Sequence, residues 1–571
     1  MKSMPRLVRR PSVELGGWPE GFPNLLARLY AARGATGFDQ AQPRLANLLP
    51  PDLMGGMDAA VSLFADAMAA NRHIVVVGDF DCDGATACAV GVRGLRMLGA
   101  GHVSYAVPNR MVHGYGLSPS LVDELAALEP DLLVTVDHGI ACHAGITAAK
   151  ARGWKVLVTD HHLPGDTLPP ADAIVDPNVR GDAFPSKALA GVGVMFYVLL
   201  ALRKHLRGQG RFGNGEPDLS QLLDLVAVGT VADLVPLDVN NRALVIAGLR
   251  RLREGRACPG LRALIEVAQR DATRLTATDI GYAIAPRVNA AGRLEDMSLG
   301  IECLVTDDPV QARDIAATLN EINGERRAVQ QQMTDEAERA LQAVALDAAG
   351  SSAAMCFYDA EWHPGVVGLV ASKMKERLHR PVIAFAPAEP GSERLRGSAR
   401  SIPGFHMRDA LADVAACHPG LIERFGGHAM AAGLSLGLAD LPAFERALNE
   451  CAARLLSPEL LQAEIFSDGQ LEAAEFNRGS AEMLRDAGPW GQGFPEPQFD
   501  GEFEVLNSRV VGERHLKLEL GHAGMRLNAI HFGGWEGSAP VGRVRIAYRL
   551  EPDDYRGGEA VQLVVVHREP A

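Results

Sequence analysis

The sequence predicts an α/β protein in three parts: a parallel-sheet domain, a second α/β domain reached through one long helix, and a small C-terminal β-barrel. Three observations carry this reading. Short, near-continuous apolar runs alternate with helical segments early in the chain, a charged amphipathic stretch follows that is too long for one domain, and the last hundred or so residues alternate with period two.

The apolar runs fall at residues 74–77, 103–106, 132–136, 156–159 and 174–175. Such runs suit strands covered on both faces, as in a parallel sheet between helical layers. The segments between them, such as 85–98 and 119–128, carry helical periodicity, and in sheets of this kind ligands sit at the carboxyl ends of the strands. From 308 to 346, Ile315, Leu319, Ile322, Val329, Met333, Leu341 and Val344 advance largely in threes, fours and sevens. The spacing predicts one helix of about 40 residues, roughly 60 Å long, with Gly324 costing about 1 kcal/mol against Ala and marking a bend. A second α/β segment, 355–455, is glycine-rich around Ser398 and Arg400 and again around His428. Alternation at 515–520, 543–548 and 561–567 predicts a small antiparallel barrel or sandwich, with an OB-like barrel as one candidate. A chain of 571 residues exceeds what one core serves. The expected boundaries are an N-terminal extension 1–45, a first α/β domain 46–265, a connecting region with the long helix 266–347, a second α/β domain 348–460 and a β-domain 461–571.

Hydrophobic residues make up 47% of the chain and charged residues 22%, a globular balance, and no apolar run reaches the roughly 20 residues of a membrane helix. The basic start lacks the apolar core of a secretory signal, so a cytoplasmic protein is expected. Eight scattered cysteines without a C-x-x-C pair read as reduced small hydrophobes rather than zinc ligands. The net charge of −14 does not exclude a nucleic-acid partner, because carboxylates gathered to hold metal subtract from the total.

The strongest signal is Gly78-Asp79-Phe80-Asp81-Cys82-Asp83-Gly84, directly after the first apolar run. Three carboxylates on one turn repel one another unless a cation neutralises them. Two further strands end in Asp137-His138-Gly139 and Asp160-His161-His162, and Asp233 follows an apolar helix. Aspartate after a strand is commonly a helix cap or turn former. That reading fits any one site but not the coincidence of three. Oxygen and imidazole ligands without thiolate suit Mn²⁺ or Mg²⁺. Two such ions about 3.5–4 Å apart serve in-line displacement at phosphorus, so phosphoester hydrolysis is the expected chemistry.

These motifs, together with PNR at 108–110, GTVADL at 229–234, APRVNAAGR at 285–293, WHPGVVGLVASK at 362–373, GSARS at 397–401 and GGHAMAAG at 426–433, stand in one order. In that order and spacing the chain resembles the DHH phosphoesterases that carry a DHHA1 domain, from about residue 71 onward. The resemblance implies a metal-dependent exonuclease that degrades single-stranded DNA from its 5′ end in repair and recombination, with water activated by two ions. It implies Asp79 and Asp81 as ligands of one ion, Asp83, His161 and Asp233 as ligands of the other, and Asp137 as a bridge. Catalysis falls to Asp81, Asp137, His161 and His162. Asp160 is expected behind His161, and His162 is expected to face the scissile phosphate. Arg110, Arg287, Asn289, His363, Ser398, Arg400 and His428 are implied as substrate contacts, with Arg110, Ser398 and Arg400 gathered on a terminal 5′-phosphate. For any of these taken singly, a surface ion pair or a packed histidine is the plainer explanation. His138 is left open between ligand, phosphate contact and bystander, and Arg293 between contact and structural residue. The partners implied are single-stranded DNA, a single-strand-binding protein and a RecQ-type helicase, with no membrane.

Two other functions share parts of this pattern. A phosphodiesterase for short oligonucleotides or cyclic dinucleotides has the same catalytic motifs, but such chains commonly stop after the second α/β domain. A non-catalytic scaffold is disfavoured because every expected ligand is an intact Asp or His. In the β-domain, Arg509, Arg514, His515 and Lys517 near Phe503 and Leu516 suggest a groove for single-stranded backbone. With aromatic residues at only 5%, electrostatic contact is expected to outweigh base stacking.

Overall fold

A computed structural model describes residues 5–11, 13, 16–109, 113, 115–213, 215–345 and 352–571, with backbone alone for 341–345. Arg110 lies outside the described residues. The chain divides into two compact units, one of Met1–Val8 and Asn323–Phe466, the other of Arg9–Ile322 and Ser467–Ala571.

The larger unit is built on five parallel strands, β1 (Ile74–Val77), β2 (Val103–Ala106), β3 (Leu132–Val136), β4 (Lys155–Thr159) and β5 (Ala173–Val175), in the order β2-β1-β3-β4-β5. Every residue of β1 and β3 is buried. Successive side chains alternate between two cores, Val75, Val77, Leu133, Val156 and Val158 on one face and Ile74, Val76, Leu132, Val134 and Leu157 on the other. Helices α1 (Cys82–Met97), α2 (Gly191–Gly208) and α3 (Leu223–Ala232) pack against one another on the second face. From Leu223 to Thr230 all of α3 is buried, as its lack of a polar face requires. Because the chain leaves β1 for β2 on one side and returns to β3 on the other, a crevice opens at the carboxyl ends of β1 and β3.

The same unit contains a closed five-stranded barrel, with Phe499–Val511, His515–His522, Met525–His531, Val561–Pro570 and Arg543–Pro552 paired in that order. Met525–His531 runs parallel to Val561–Pro570, and the other pairs are antiparallel. Phe499, Phe503, Leu516, Leu520, Tyr548 and Leu563 fill it and belong to one core with the helical layers. Sequence alternation anticipates three of these strands. It misses Phe499–Val511, whose pattern breaks at a bulge between Val505 and Asn507, and Met525–His531, whose Met-Arg-Leu-Asn-Ala-Ile-His has one β-branched residue and no aromatic ring of the Phe, Tyr or Trp kind.

The smaller unit holds a mixed sheet, ordered Arg424–Gly427, Ala431–Gly437, Arg394–Arg400, Val382–Pro387 and Met355–Tyr358. Only the last two strands run parallel. Ile383, Phe385, Leu395, Leu411 and Phe444 form its core. The glycine-rich segment around Ser398 lies inside a strand. Gly397 sits there because a Cβ would meet the Phe385 ring at 2.5 Å. One helix, Pro309–Ala345, runs 37 residues and continues through Gly324. Nothing lies within 4 Å of a Cβ placed at Gly324. No helix among the described residues is long and apolar enough to cross a membrane.

Candidate metal centre

The turn after β1 is shaped by its own carboxylates. Asp81 is the N-cap of α1 and accepts the Gly84 N–H at 3.0 Å, while Asp79 accepts the N–H of Phe80 at 2.8 Å. Asp83 lies in the first turn of α1 and is fully buried. Its two oxygens accept the first backbone N–H groups of α2, from Gly191 at 2.7 Å and Val192 at 3.0 Å. A helix start thus faces a carboxylate, where unspent N–H donors and the helix dipole favour negative charge.

Asp137 follows β3 with φ of 63°, a left-handed conformation costly for most side chains but least so for Asp and Asn. Gly191 makes room for it, since a Cβ there would lie 2.5 Å from the Asp137 Cβ and 2.7 Å from its Cα. His161 Nε2 lies 3.0 Å from Asp137, 3.6 Å from Asp233 and 3.9 Å from Asp83. Asp233 caps the end of α3. Among the described residues, three groups could each converge on one cation, with ligand atoms within 4.8 Å of one another: Asp79, Asp81 and Asp137; Asp83, His161 and Asp233; and Asp137, His161 and His162.

Electrostatics show the strain of this gathering. Burial, then the charges of Asp83, Asp81 and Asp233, push the Asp137 carboxyl well above the usual range. Burial and Asp81 raise Asp83 to about 7, against the opposing hydrogen bonds from α2. Asp233 rises through burial and Asp83. The cluster therefore calls for added positive charge, and its donor set of carboxylate oxygens and imidazole without thiolate fits a hard divalent cation.

Asp160 behaves differently. Its Oδ1 accepts the backbone N–H groups of His161 and His162 at 2.7 and 3.1 Å and lies 2.7 Å from His162 Nδ1. Its Oδ2 accepts the N–H of Ile140 at 2.9 Å. Burial raises Asp160, but these bonds outweigh it and hold the carboxyl at about 2; burial lowers His162, but Asp160 outweighs that and holds the ring at about 9. The ring that Asp160 contacts is that of His162, because the turn curls the carboxylate onto the residue two positions on, while it meets His161, the partner the sequence suggests, through the backbone N–H. The open question at His138 also resolves. Its buried ring places Nε2 3.1 Å from the Val77 carbonyl, and burial lowers it to about 4, so it is a neutral packed residue.

Models of known families match residues 73–230 as the DHH family N-terminal domain, 350–454 as the DHHA1 domain and 467–567 as the RecJ OB domain. The single-stranded-DNA-specific exonuclease RecJ of Dickeya dadantii is 50% identical over 580 residues, covering 100% of both chains. The chain belongs to the RecJ family. The crystal structure of RecJ from Thermus thermophilus in complex with Mn²⁺ matches with a TM-score of 0.79 at 31% identity, over 96% of this chain and 76% of that one. The Mg²⁺ complex from the same organism matches with a TM-score of 0.73 at 30% identity, over 96% and 74%.

Other expected residues of this RecJ-family chain are placed as follows. Arg287, Asn289 and Arg293 lie on helix α4 (Ala285–Leu294). Arg287 is buried and donates to Asn320 at 3.0 Å and to the Ala283 carbonyl. Asn289 accepts the N–H of Cys82 at 2.8 Å and so braces the turn that carries Asp81 and Asp83. In the smaller unit, Arg400 donates to Ser398 Oγ at 3.0 Å, Ser372 Oγ at 3.1 Å and the Ala399 carbonyl at 2.8 Å. His363 Nδ1 accepts the N–H of Gly365 at 3.1 Å, and His428 is exposed beside a strand end. Phe503 and Leu516 fill the barrel core and cannot line a groove.

Three features were missed. Asp176 ends β5 as a further strand-end acid, accepts the N–H of Asn178 at 2.7 Å and is raised to about 8 by burial. Asn178 donates to the His161 carbonyl at 2.6 Å. Tyr115, 52% exposed, meets the His162 ring edge-on at 6.2 Å. The Asp-Pro-Asn after the fifth apolar run was the available signal for the first two; nothing local marked Tyr115.

Two outcomes follow from this geometry. In metal-free protein, NMR titration of His162 gives a midpoint near 9, and Asp160→Asn moves it down toward the ordinary value. Because the folded-state value is raised, this pair's contribution to stability is present below the ordinary histidine value and is lost as pH rises through the folded one. Gly191→Ala overpacks the backbone of Asp137 at a cost of about 1–3 kcal/mol, and calorimetric titration with Mn²⁺ shows at least about tenfold weaker binding, equivalent to about 1.4 kcal/mol.

Proposed function

We propose that this chain is a divalent-metal-dependent exonuclease that hydrolyses phosphodiester bonds of single-stranded DNA from the 5′ end, in the cytoplasm, during DNA repair and recombination. The observation that carries this reading is the convergence of Asp79, Asp81, Asp83, Asp137, His161 and Asp233 at the ends of parallel strands in a chain whose full-length relative is a single-stranded-DNA-specific exonuclease. Asp79, Asp81 and Asp137 would hold one Mn²⁺ or Mg²⁺, and Asp83, Asp137, His161 and Asp233 the other. When bound, the ions supply Lewis-acid activation of water and neutralise phosphoryl oxygens.

The side chains do the rest. His162, kept protonated by Asp160, offers its second ring N–H to an oxygen of the scissile phosphate as the P–O3′ bond breaks. Asn289 and Asn178 hold the two ligand-bearing turns through backbone groups, which keeps the carboxylates in place against their mutual repulsion. Tyr115, exposed beside His162, supplies a ring on which the terminal base stacks. In the smaller unit, Ser398 and Arg400 form a phosphate cradle, with His363 and His428 as further strand contacts. On the barrel, Arg509 and Lys517 lie opposite each other in register, and Phe532, 60% exposed, meets the His515 ring at 5.4 Å. That surface suits a single strand held by charge and one or two stacked bases. A single-strand-binding protein and a RecQ-type helicase are proposed as partners on family membership.

Asp137→Ala abolishes nucleotide release from labelled single-stranded DNA while circular dichroism stays native, because no neighbour replaces a shared ligand; near-normal activity in Mn²⁺ would contradict the assignment. Arg400→Ala removes charge-assisted contacts worth roughly 1.5–3 kcal/mol, a loss of roughly 10- to 150-fold in apparent affinity for 5′-phosphorylated strand. The ratio of kcat/KM on 5′-phosphate and 5′-hydroxyl oligonucleotides then narrows. An unchanged ratio removes Arg400 from the cradle, and degradation from the 3′ end overturns the polarity.

A further inference from the structure

Ser398 and Arg400 of the proposed cradle stand two apart on the strand Arg394–Arg400 and so share one face of its sheet. The other face, with Leu395 and Ala399, belongs to the core of the smaller unit. Against the cradle's face packs the helix Val367–Leu378. Its first turn comes close, since a Cβ added at Gly368 would lie 3.0 Å from Arg400 Nη2 and 3.0 Å from Ser398 Oγ.

One turn further on, Ser372 meets the same guanidinium. Its Oγ accepts the Nε–H of Arg400 at 3.1 Å and donates to the Gly368 carbonyl at 3.0 Å. A hydroxyl has a single proton, so the bond to Gly368 turns the oxygen lone pairs toward Arg400. From the strand, Arg400 Nη1 is held by Ser398 Oγ at 3.0 Å and by the Ala399 carbonyl at 2.8 Å. Contacts on Nε and on Nη1 together fix the plane of the guanidinium. All three acceptors are neutral oxygens, so they orient the cation without neutralising it. A planar fork meets two phosphate oxygens at once only in the right plane, and fixing that plane beforehand lowers the entropy lost on capture.

We propose that Ser372 is a positioning residue for end recognition: it holds the Arg400 guanidinium in the plane that receives a terminal 5′-phosphate, and Gly368 leaves the space into which that plane fits. The proposal rests on the reading of Arg400 as a phosphate contact and adds two residues that act through it.

The test measures kcat and KM in Mn²⁺ on matched 5′-phosphate and 5′-hydroxyl oligonucleotides for the full chain and for Arg400→Ala, Ser372→Ala, Ser372→Thr and Gly368→Ala. Ser372→Ala removes one hydrogen bond and leaves the charge, so the preference for 5′-phosphate is expected to fall by about two- to tenfold, less than in Arg400→Ala. The loss is expected in KM for the phosphorylated strand, with kcat little changed, because the metal ligands are untouched. Ser372→Thr keeps the hydroxyl and is expected to keep the preference. Gly368→Ala suits a helix but sets a methyl group against Nη2, and is expected to lower the preference as Ser372→Ala does. A readout apart from activity is the Arg400 Nε–H signal in protein labelled with ¹⁵N-arginine, identified by its absence in Arg400→Ala; its exchange with water is expected to quicken in Ser372→Ala. An unchanged preference or an unchanged exchange rate in Ser372→Ala, beside a lowered preference in Arg400→Ala, sinks the inference and leaves the cradle standing. Equal loss in Ser372→Thr and Ser372→Ala would assign the effect to packing rather than to the hydroxyl and overturn it too. An unchanged preference in Arg400→Ala removes the cradle and the inference together. Were the wild type inactive on both strands, the functional reading would fail, and the inference would stand or fall on the same ratio taken from dissociation constants.

Discussion

Like charges held out of water set the terms for the larger unit. Asp79, Asp83 and Asp137 are almost wholly buried, and burial with the charges of Asp83, Asp81, Asp233 and Asp79 raises the proton affinity of Asp137. In such an environment a carboxylate persists only where donors or cations are fixed around it, because the repulsion grows as water is excluded. The surroundings are arranged accordingly. The start of α2 turns two N–H groups on Asp83, Gly191 omits the side chain that would displace Asp137, and Asn289 reaches across from α4 to hold the turn between Asp81 and Asp83. Even the Asp160–His162 pair fits this scheme, since it keeps one positive ring at the edge of a negative cluster.

Much of this is legible in the sequence. Parallel strands announce themselves as short apolar runs, and an acid at the end of three of them is conspicuous because the surrounding composition gives no reason for it. The metal-centre acids were therefore readable one by one. What the residues do to each other was not. Arg287 and Asn289 look like loop donors in a glycine- and alanine-rich stretch, yet small residues also let a helix pack closely, and a Cβ at Gly292 would lie 1.9 Å from the Phe80 carbonyl. The partner of Asp160 depends on how a three-residue turn curls, which spacing leaves open. Two barrel strands escaped because a bulge and a run of weak strand formers conceal the alternation.

The barrel is also less separate than its sequence texture implies. Its interior residues belong to the core that covers the parallel sheet, and the N-terminal helix Asn24–Ala31 ties into the segment before it. Tyr30 is fully buried, donates to the Ala487 carbonyl at 2.6 Å and lies against Trp490 and Phe494 at 5.8 and 6.0 Å. Arg33 meets Asp468 at 2.8 Å with both side chains almost wholly buried. Residues at the two ends of the unit thus share one hydrophobic interior, so a truncation at either end exposes apolar surface belonging to the other.

The backbone of Asp137 bears on how such a protein can change over evolutionary time. Its left-handed conformation admits few side chains, and asparagine is the one closest in size and in tolerance of that conformation. Asparagine there would keep the backbone shape while deleting one of several repelling charges, a change that favours the metal-free fold even as it removes the ligand proposed above. With no metal bound, loss of the proposed shared ligand is therefore a downhill step for folding. A descendant kept for its surfaces alone would meet no stability barrier on the way, whereas one that must retain its chemistry is held there by selection against the preference of its own fold.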